Sequence, residues 1–354
     1  MPNGDELEAA LEQLDLCVSI DLYVNETNAH ADYVLPATTM YERADFPLPF
    51  QTYFTTPFRQ ATAAVVEPAG EAREEWEVID ELMHGMARRS PGLAGIQLAR
   101  RALGLLGRRL DPQWLAGLVV RLAEGGDRLG LRRGGLTLRR LLEDHPHGTV
   151  LAPHLRAGVL RRVVLHRDRR VKLEHPEIAA EVARLREREQ DDGDFPLRLI
   201  GMRELRSENS WMHNAPLLLR GGRRQAARMH PDDAAAIGLA ADGEGGARVR
   251  LTSPHGTIEL PAILTEDLKR GVVAVPHGWG HKGTGAWRRA NAAGGDAVQE
   301  GETESAAGGV NVNLLTSSHP DDLERLAGMA HLNGVPVRAE AVAPAPVPAS
   351  SSVA

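Results

Sequence analysis

The densest set of polar side chains in this sequence is the run MRELRSENSWMHNAPLL, where Arg203, Arg206, Ser207, Asn209, Ser210, Trp211, His213 and Asn214 follow one another closely. Guanidinium groups suit phosphate, because their N–H forks make paired, charge-assisted hydrogen bonds. Amides and hydroxyls suit the edges of a heterocycle, since they both donate and accept. Residue types in this mixture point to a loop that holds a large, polar, phosphorylated ligand. The plain alternative is a solvated surface loop with no partner.

Other candidate chemistry is thinner. GWGHKG, from Gly278 to Gly283, has the G-x-G-x-x-G form and follows an apparent strand, GVVAVP. No apolar helical stripe follows it, and no second strand precedes Asp296, so the pattern predicts a close backbone approach rather than a dinucleotide-binding βαβ unit. His277 and His281 have zinc-like spacing, but glycines separate them and no acidic ligand accompanies them, so they read as a loop pair. No G-x-S-x-G elbow is present. Cys17 is the chain's one cysteine and sits in an apolar run, so it reads as a buried core residue. A lone cysteine cannot form an intramolecular disulfide or ligate an iron–sulfur cluster by itself. No catalytic residue and no metal ligand is assigned in this chain.

Composition narrows the classes further. With 42% hydrophobic and 25% charged residues, the 354-residue chain has the balance of a globular protein with two or three domains. Its net charge of −7, from 41 basic and 48 acidic residues, opposes unspecific binding to nucleic acid or anionic membrane. No signal peptide or apolar span is read, so a cytoplasmic, membrane-free location is expected.

The elements that must position these residues are legible in outline. Asp5 to Leu14 has the period of a short amphipathic helix. LCVSIDLYV and YVLPA read as two strands joined by a polar connection, the tail of an α/β layer too small for a complete doubly wound sheet. The chain is therefore expected to begin in mid-domain. EAREEWEVIDELMHGMARR predicts a helix with Trp76, Ile79, Leu82, Met83 and Met86 on one face. Between Ser90 and Gln190 short helices and a hairpin are expected without fixed borders, and the acidic run EREQDDGD reads as a linker. Beyond Phe195, LRLIGM, ARVRLTS, GTIELPAILT, GVVAVP and PVRAEAV have the rhythm of a small closed barrel, interrupted by a helix starting at Pro231.

The sequence resembles a known superfamily. IDLYVNETNAHADYVLPATTMYERADF, with Asp21, Thr27, Ala31, Asp32, Leu35, Pro36 and Glu42, is similar to a signature of the molybdopterin oxidoreductases: formate dehydrogenases, nitrate reductases and dimethyl sulfoxide reductases. VVEPAGEAREEWEVIDEL resembles the continuation of that signature. GMRELRSENSWMHN, then HPDDAAAIGL through VAVPHGWG, then VNVNLLTSSHPDDLERLAGMAHLNGVPVRAE resemble, in order, the molybdopterin dinucleotide-binding domain. The resemblance covers residues 1–87 and 195–342.

It implies an α/β plus β fold: 1–87 as the C-terminal remnant of a Rossmann-like domain, 88–194 as a variable, largely helical connecting region, 195–342 as a six-stranded double-psi β-barrel, and 343–354 as a disordered tail. It implies a C-terminal portion that grips bis(molybdopterin guanine dinucleotide) carrying molybdenum or tungsten. The metal ligand, and an iron–sulfur cluster if there is one, would lie in a missing N-terminal half. Asp21, Asn25 and Thr27 would meet the guanine nucleotide, with Asn25 standing where relatives often carry Thr. Arg203, Ser207, Asn209, Trp211, His213 and Asn214 would line the cofactor in the first barrel loop. Asn311 and Asn313 would follow from the N-x-N-x-L-T element, and Asn333 from the final turn. Partners would be the cofactor and either the missing half or a redox subunit. The competing readings are a non-catalytic scaffold subunit and, from GWGHKG, a nucleotide-binding enzyme.

Overall fold

The computed structural model describes residues 2, 4–25, 27–51, 53–87, 90–105, 107, 111–187, 193–219, 225–239, 247–280 and 309–342. His281, most of the acidic linker and the tail 343–354 lie outside them. Contacts divide the chain into two compact units, one of Met1–Cys17, Val24–Asp32 and Lys172–Ala354, the other of Val18–Tyr23 and Tyr33–Val171.

In chain order the first elements are α1 (Gly4–Glu12), β1 (Val18–Asp21), β2 (Tyr33–Pro36), α2 (Leu48–Gln51), β3 (Phe58–Arg59) and α3 (Glu75–Ala87). They are followed by α4 (Ala94–Leu105), α5 (Pro112–Leu122), α6 (Leu138–Glu143), β4 (Thr149–Val150), α7 (Leu160–Val163) and α8 (Pro176–Glu187). β1 and β2 pair in parallel, with Val18 opposite Tyr33 and Asp21 opposite Pro36. Both strands are shorter than the apolar runs that predicted them.

The stretch read as a connecting region supplies the core of its unit. Val120 of α5, Leu141 of α6 and Leu136 just before α6 bury against Ala61, and β4 pairs antiparallel with β3. Capping makes the helices local decisions: Asp111 accepts the N–H of Trp114 at 2.5 Å at the start of α5, with Pro112 in the first turn, and Thr137 accepts that of Arg140 at 3.2 Å at the start of α6. α3 forms as predicted, yet its apolar stripe does not enter a core. Val78 is buried, while Ile79, Leu82 and Met86 are exposed. The period sets the face of a helix, but only neighbours decide whether that face is covered.

α8 belongs with the barrel unit, where its Glu181 is held ionised below the usual carboxylate range, chiefly by hydrogen bonding to Arg184, with Arg325 adding attraction. The remaining elements are β5 (Leu197–Met202), α9 (Pro216–Leu219), β6 (Ala227–Met229), α10 (Pro231–Ala236), β7 (Arg248–Thr252), β8 (Thr257–Leu264), β9 (Val272–Pro276) and β10 (Val335–Val342). Six of them close a barrel in the order β10-β5-β9-β6-β8-β7, with parallel pairs β5–β9 and β6–β8 and the other described pairs antiparallel.

Alternation drives closure. Val335, Val337 and Ala339 of β10 point inward while Pro336, Arg338 and Glu340 face out. Val249 and Leu251 of β7 do the same, and outside them Arg250 pairs with Glu259, its register partner on β8. β9 differs, since Val273, Ala274, Val275 and Pro276 are all buried, so both of its faces are covered. β6 went unread in the sequence because three residues carry too little pattern. α10 begins as expected, with Pro231 in its first turn, His230 Nδ1 accepting the N–H of Asp232 at 3.1 Å, and Gly238 turning the chain at φ +70°.

Candidate functional site

β5 and β9 are parallel neighbours whose last residues, Met202 and Pro276, are register partners, so the loops that follow leave the barrel side by side. The N–H of His277 donates to Met202 O at 3.2 Å and carries the pairing one residue further. The loop after β5 then closes on itself. Its Ser207 and His213 are 1% and 2% exposed, and Ser207 Oγ meets His213 Nε2 at 2.9 Å.

Trp279 completes this knot. Its ring lies 4.4 Å from that of His213, and its Nε1–H donates to Glu204 at 2.9 Å. The Ser207 hydroxyl lies 3.4 Å from the same Glu204 oxygen. A tight backbone makes the approach feasible. Gly278 has φ +86°, and a Cβ there would stand 2.1 Å from Asn209 O; Gly280 has φ +101°, and a Cβ there would stand 2.4 Å from Asn311 N. The close backbone approach read from GWGHKG is present at Gly278 and Gly280.

A third loop is tied in by a side chain that sequence reasoning missed. Gln225 is 3% exposed, donates to Pro276 O at 2.7 Å and to Val310 O at 3.0 Å, and accepts the Val310 N–H at 2.7 Å. It thereby clips the end of β9 to the segment bearing Asn311 and Asn313. Glutamine beside a short strand has no sequence signature, and only the spatial meeting of two carbonyls and an N–H gives it meaning.

The residues singled out by type thus separate into groups. Arg203, Arg206, Asn209 and Trp211 are exposed on the first loop, while Ser207 and His213 are buried beneath them. Asn214 lies on the short helical turn that follows. Asn311 accepts the N–H of Asn313 at 3.1 Å and caps the turn that contains it. Asn333 accepts the Gly201 N–H at 2.8 Å, which brings the final turn against the end of β5. Asn25 belongs to the same unit and accepts the N–H groups of Thr27 and Asn28 at 3.0 and 3.2 Å, forming a side-chain-capped turn. Asp21 lies in the other unit at the end of β1, where its carboxylate accepts the N–H of Leu22 at 2.7 Å. Glu42 of the N-terminal signature is used on backbone, accepting Thr39 N–H at 2.7 Å and Ala69 N–H at 2.6 Å.

The C-terminal region is thus a closed six-stranded mixed barrel whose polar loops are gathered by buried side chains. Residues 197–335 match the family described as Molydopterin dinucleotide binding domain, and residues 1–84 match the one described as Molybdopterin oxidoreductase. The chain belongs to the molybdopterin oxidoreductase superfamily. It is 27% identical over 286 residues to the F420-dependent formate dehydrogenase subunit alpha of Methanocaldococcus jannaschii, covering 78% of this chain and 36% of that one. It is 42% identical over 77 residues to the thiosulfate reductase molybdopterin-containing subunit of Salmonella typhimurium, covering 22% of this chain and 10% of that one. Acetylene hydratase from Pelobacter acetylenicus has the same fold over 96% of this chain and 42% of its own, with a TM-score of 0.56 and 21% identity. The chain thus spans about a third or less of the curated relatives it matches.

Proposed function

We propose that the loops after β5 and β9, with the segment 309–316, hold a molybdopterin guanine dinucleotide, and that the chain serves as the cofactor-gripping C-terminal portion of a cytoplasmic molybdenum- or tungsten-dependent oxidoreductase. The observation that carries this reading is the division of labour in the first loop. Buried Ser207 and His213 brace it, and exposed Arg203, Arg206, Asn209 and Trp211 stand outside the brace. That donor set fits the group: guanidinium forks suit pyrophosphate, amides suit the edge of guanine or pterin, and an indole suits a ring face.

Bound, the group would supply a redox-active metal centre. The chain's own residues would bind and orient it. Arg203 and Arg206 would neutralise phosphate charge, Asn209, Asn311 and Asn313 would supply amide contacts, and the Gln225 clip would keep the loops in register. With one cysteine in the chain, a cysteine-ligated iron–sulfur cluster would be carried by a different polypeptide segment.

Titration of the full chain with GDP, the nucleotide end of the dinucleotide, tests this reading. Arg203→Ala is expected to weaken GDP by about ten-fold or more, from the loss of a charge-assisted bond of about 1.5–3 kcal/mol. Arg184→Ala is the control, because that guanidinium is engaged by Glu181 on α8 and should leave affinity unchanged. Equal affinities in both variants, or no binding by the unaltered chain, would reject the reading and favour the scaffold alternative.

A further inference from the structure

Asn209 sits in a turn whose backbone is strained chiefly at its neighbour Glu208. Glu208 and Asn209 have φ of +43° and +63°, two successive left-handed residues of which neither is glycine. Such backbone is costly and persists only where the surroundings impose it. What surrounds Asn209 is the turn after β9. His277 Nδ1–H donates to Met202 O at 3.1 Å, which fixes the ring against the end of β5, and Nε2 lies 2.9 Å from Asn209 Oδ1, where the amide turned end for end donates its N–H to the ring nitrogen. Gly278 lies against the Asn209 carbonyl so closely that no side chain fits there. The turn therefore grips residue 209 by its side chain and its backbone together.

We infer that His277 is a positioning residue: it acts through Asn209, holding that exposed amide and the strained turn that carries it in one orientation for a ligand at the first barrel loop. The inference rests on the ligand-binding reading of that loop for its purpose, but the clamp itself is a property of the apo chain. Preorganisation of this kind raises affinity because the cost of ordering the loop is met before the ligand arrives.

Isosteric substitutions separate the clamp from mere packing. A glutamine's terminal amide reaches the place of Nε2 and offers both a donor and an acceptor to Asn209, whereas an asparagine reaches only the place of Nδ1. Two measurements on the full chain are needed, hydrogen–deuterium exchange of loop 203–215 and GDP affinity. His277→Ala and His277→Asn are expected to speed exchange in the loop and to weaken GDP by about five- to ten-fold, the range for one lost hydrogen bond, while His277→Gln keeps both near the unaltered values. Unchanged exchange in His277→Ala overturns the clamp. So does failure of His277→Gln to rescue, which would make ring packing the cause, and so does faster exchange with undiminished GDP affinity. If the unaltered chain binds no GDP, the exchange pattern and its rescue still decide the clamp, while the ligand-binding reading falls separately.

Discussion

Glu42 is 9% exposed and spends its carboxylate on the N–H groups of Thr39 and Ala69. The Thr39 N–H, seconded by that of Ala69, holds its pKa below the ordinary value against the opposing effect of burial. A group whose folded pKa is depressed stabilises the fold above its unfolded pKa, and that stability is lost as pH falls through the lower folded value. Glu42→Ala should therefore cost about 1.5–3 kcal/mol near neutral pH, and the gap in melting temperature from the unaltered chain should close below about pH 4. A gap that persists undiminished in acid would show that packing, not the charged hydrogen bonds, is what the side chain contributes. The same scale explains Ser207 and His213. Their residue types suggested contact with a ligand, and the structure pairs them with each other out of solvent.

At the scale of elements, α3 and the β1–β2 pair stand out for what they leave uncovered. Leu35, Pro36, Val78, Leu82 and Met86 line a groove of about 670 Å³, rimmed by Glu71, Arg73 and Glu81. Leu82 and Met86 are 52% and 62% exposed. Contiguous apolar surface of this kind binds hydrophobic dyes and promotes association. Leu82→Lys with Met86→Lys should lower 8-anilinonaphthalene-1-sulfonate fluorescence of the native chain and reduce its concentration-dependent light scattering, with little loss of stability because neither side chain is buried. Unchanged dye binding would place the exposed apolar surface elsewhere.

Across the whole molecule, each compact unit has its own apolar core. Leu199, Val249, Leu251, Val273 and Val337 are among those that fill the barrel, while Ala61, Val120, Leu136 and Leu141 fill the other unit. Chains with separate cores commonly unfold in more than one step. Urea unfolding should show two transitions, with Leu251→Ala moving one and Leu141→Ala the other, each by about 2–5 kcal/mol for a buried leucine. A single transition moved equally by both substitutions would show one cooperative unit instead.

The barrel and the identity of the loop that leaves β5 are legible in the amino-acid order alone. Period-two alternation in β7 and β10, the Pro231 helix start and the ordered motifs are local properties, and local physics suffices to read them. The sequence also marked the exposed polar residues of the first loop, because residue type alone carries their chemistry. What it could not carry is who meets whom. Gln225 gains its role only where β9 and residue 310 approach, Trp279 only where it lies on His213 and reaches Glu204, and the helix α3 kept its period while its apolar face stayed uncovered. All three turn on which residues far apart in the chain meet, to which spacing and composition are blind, and for Gln225 and Trp279 it is closure of the barrel that brings the partners into reach.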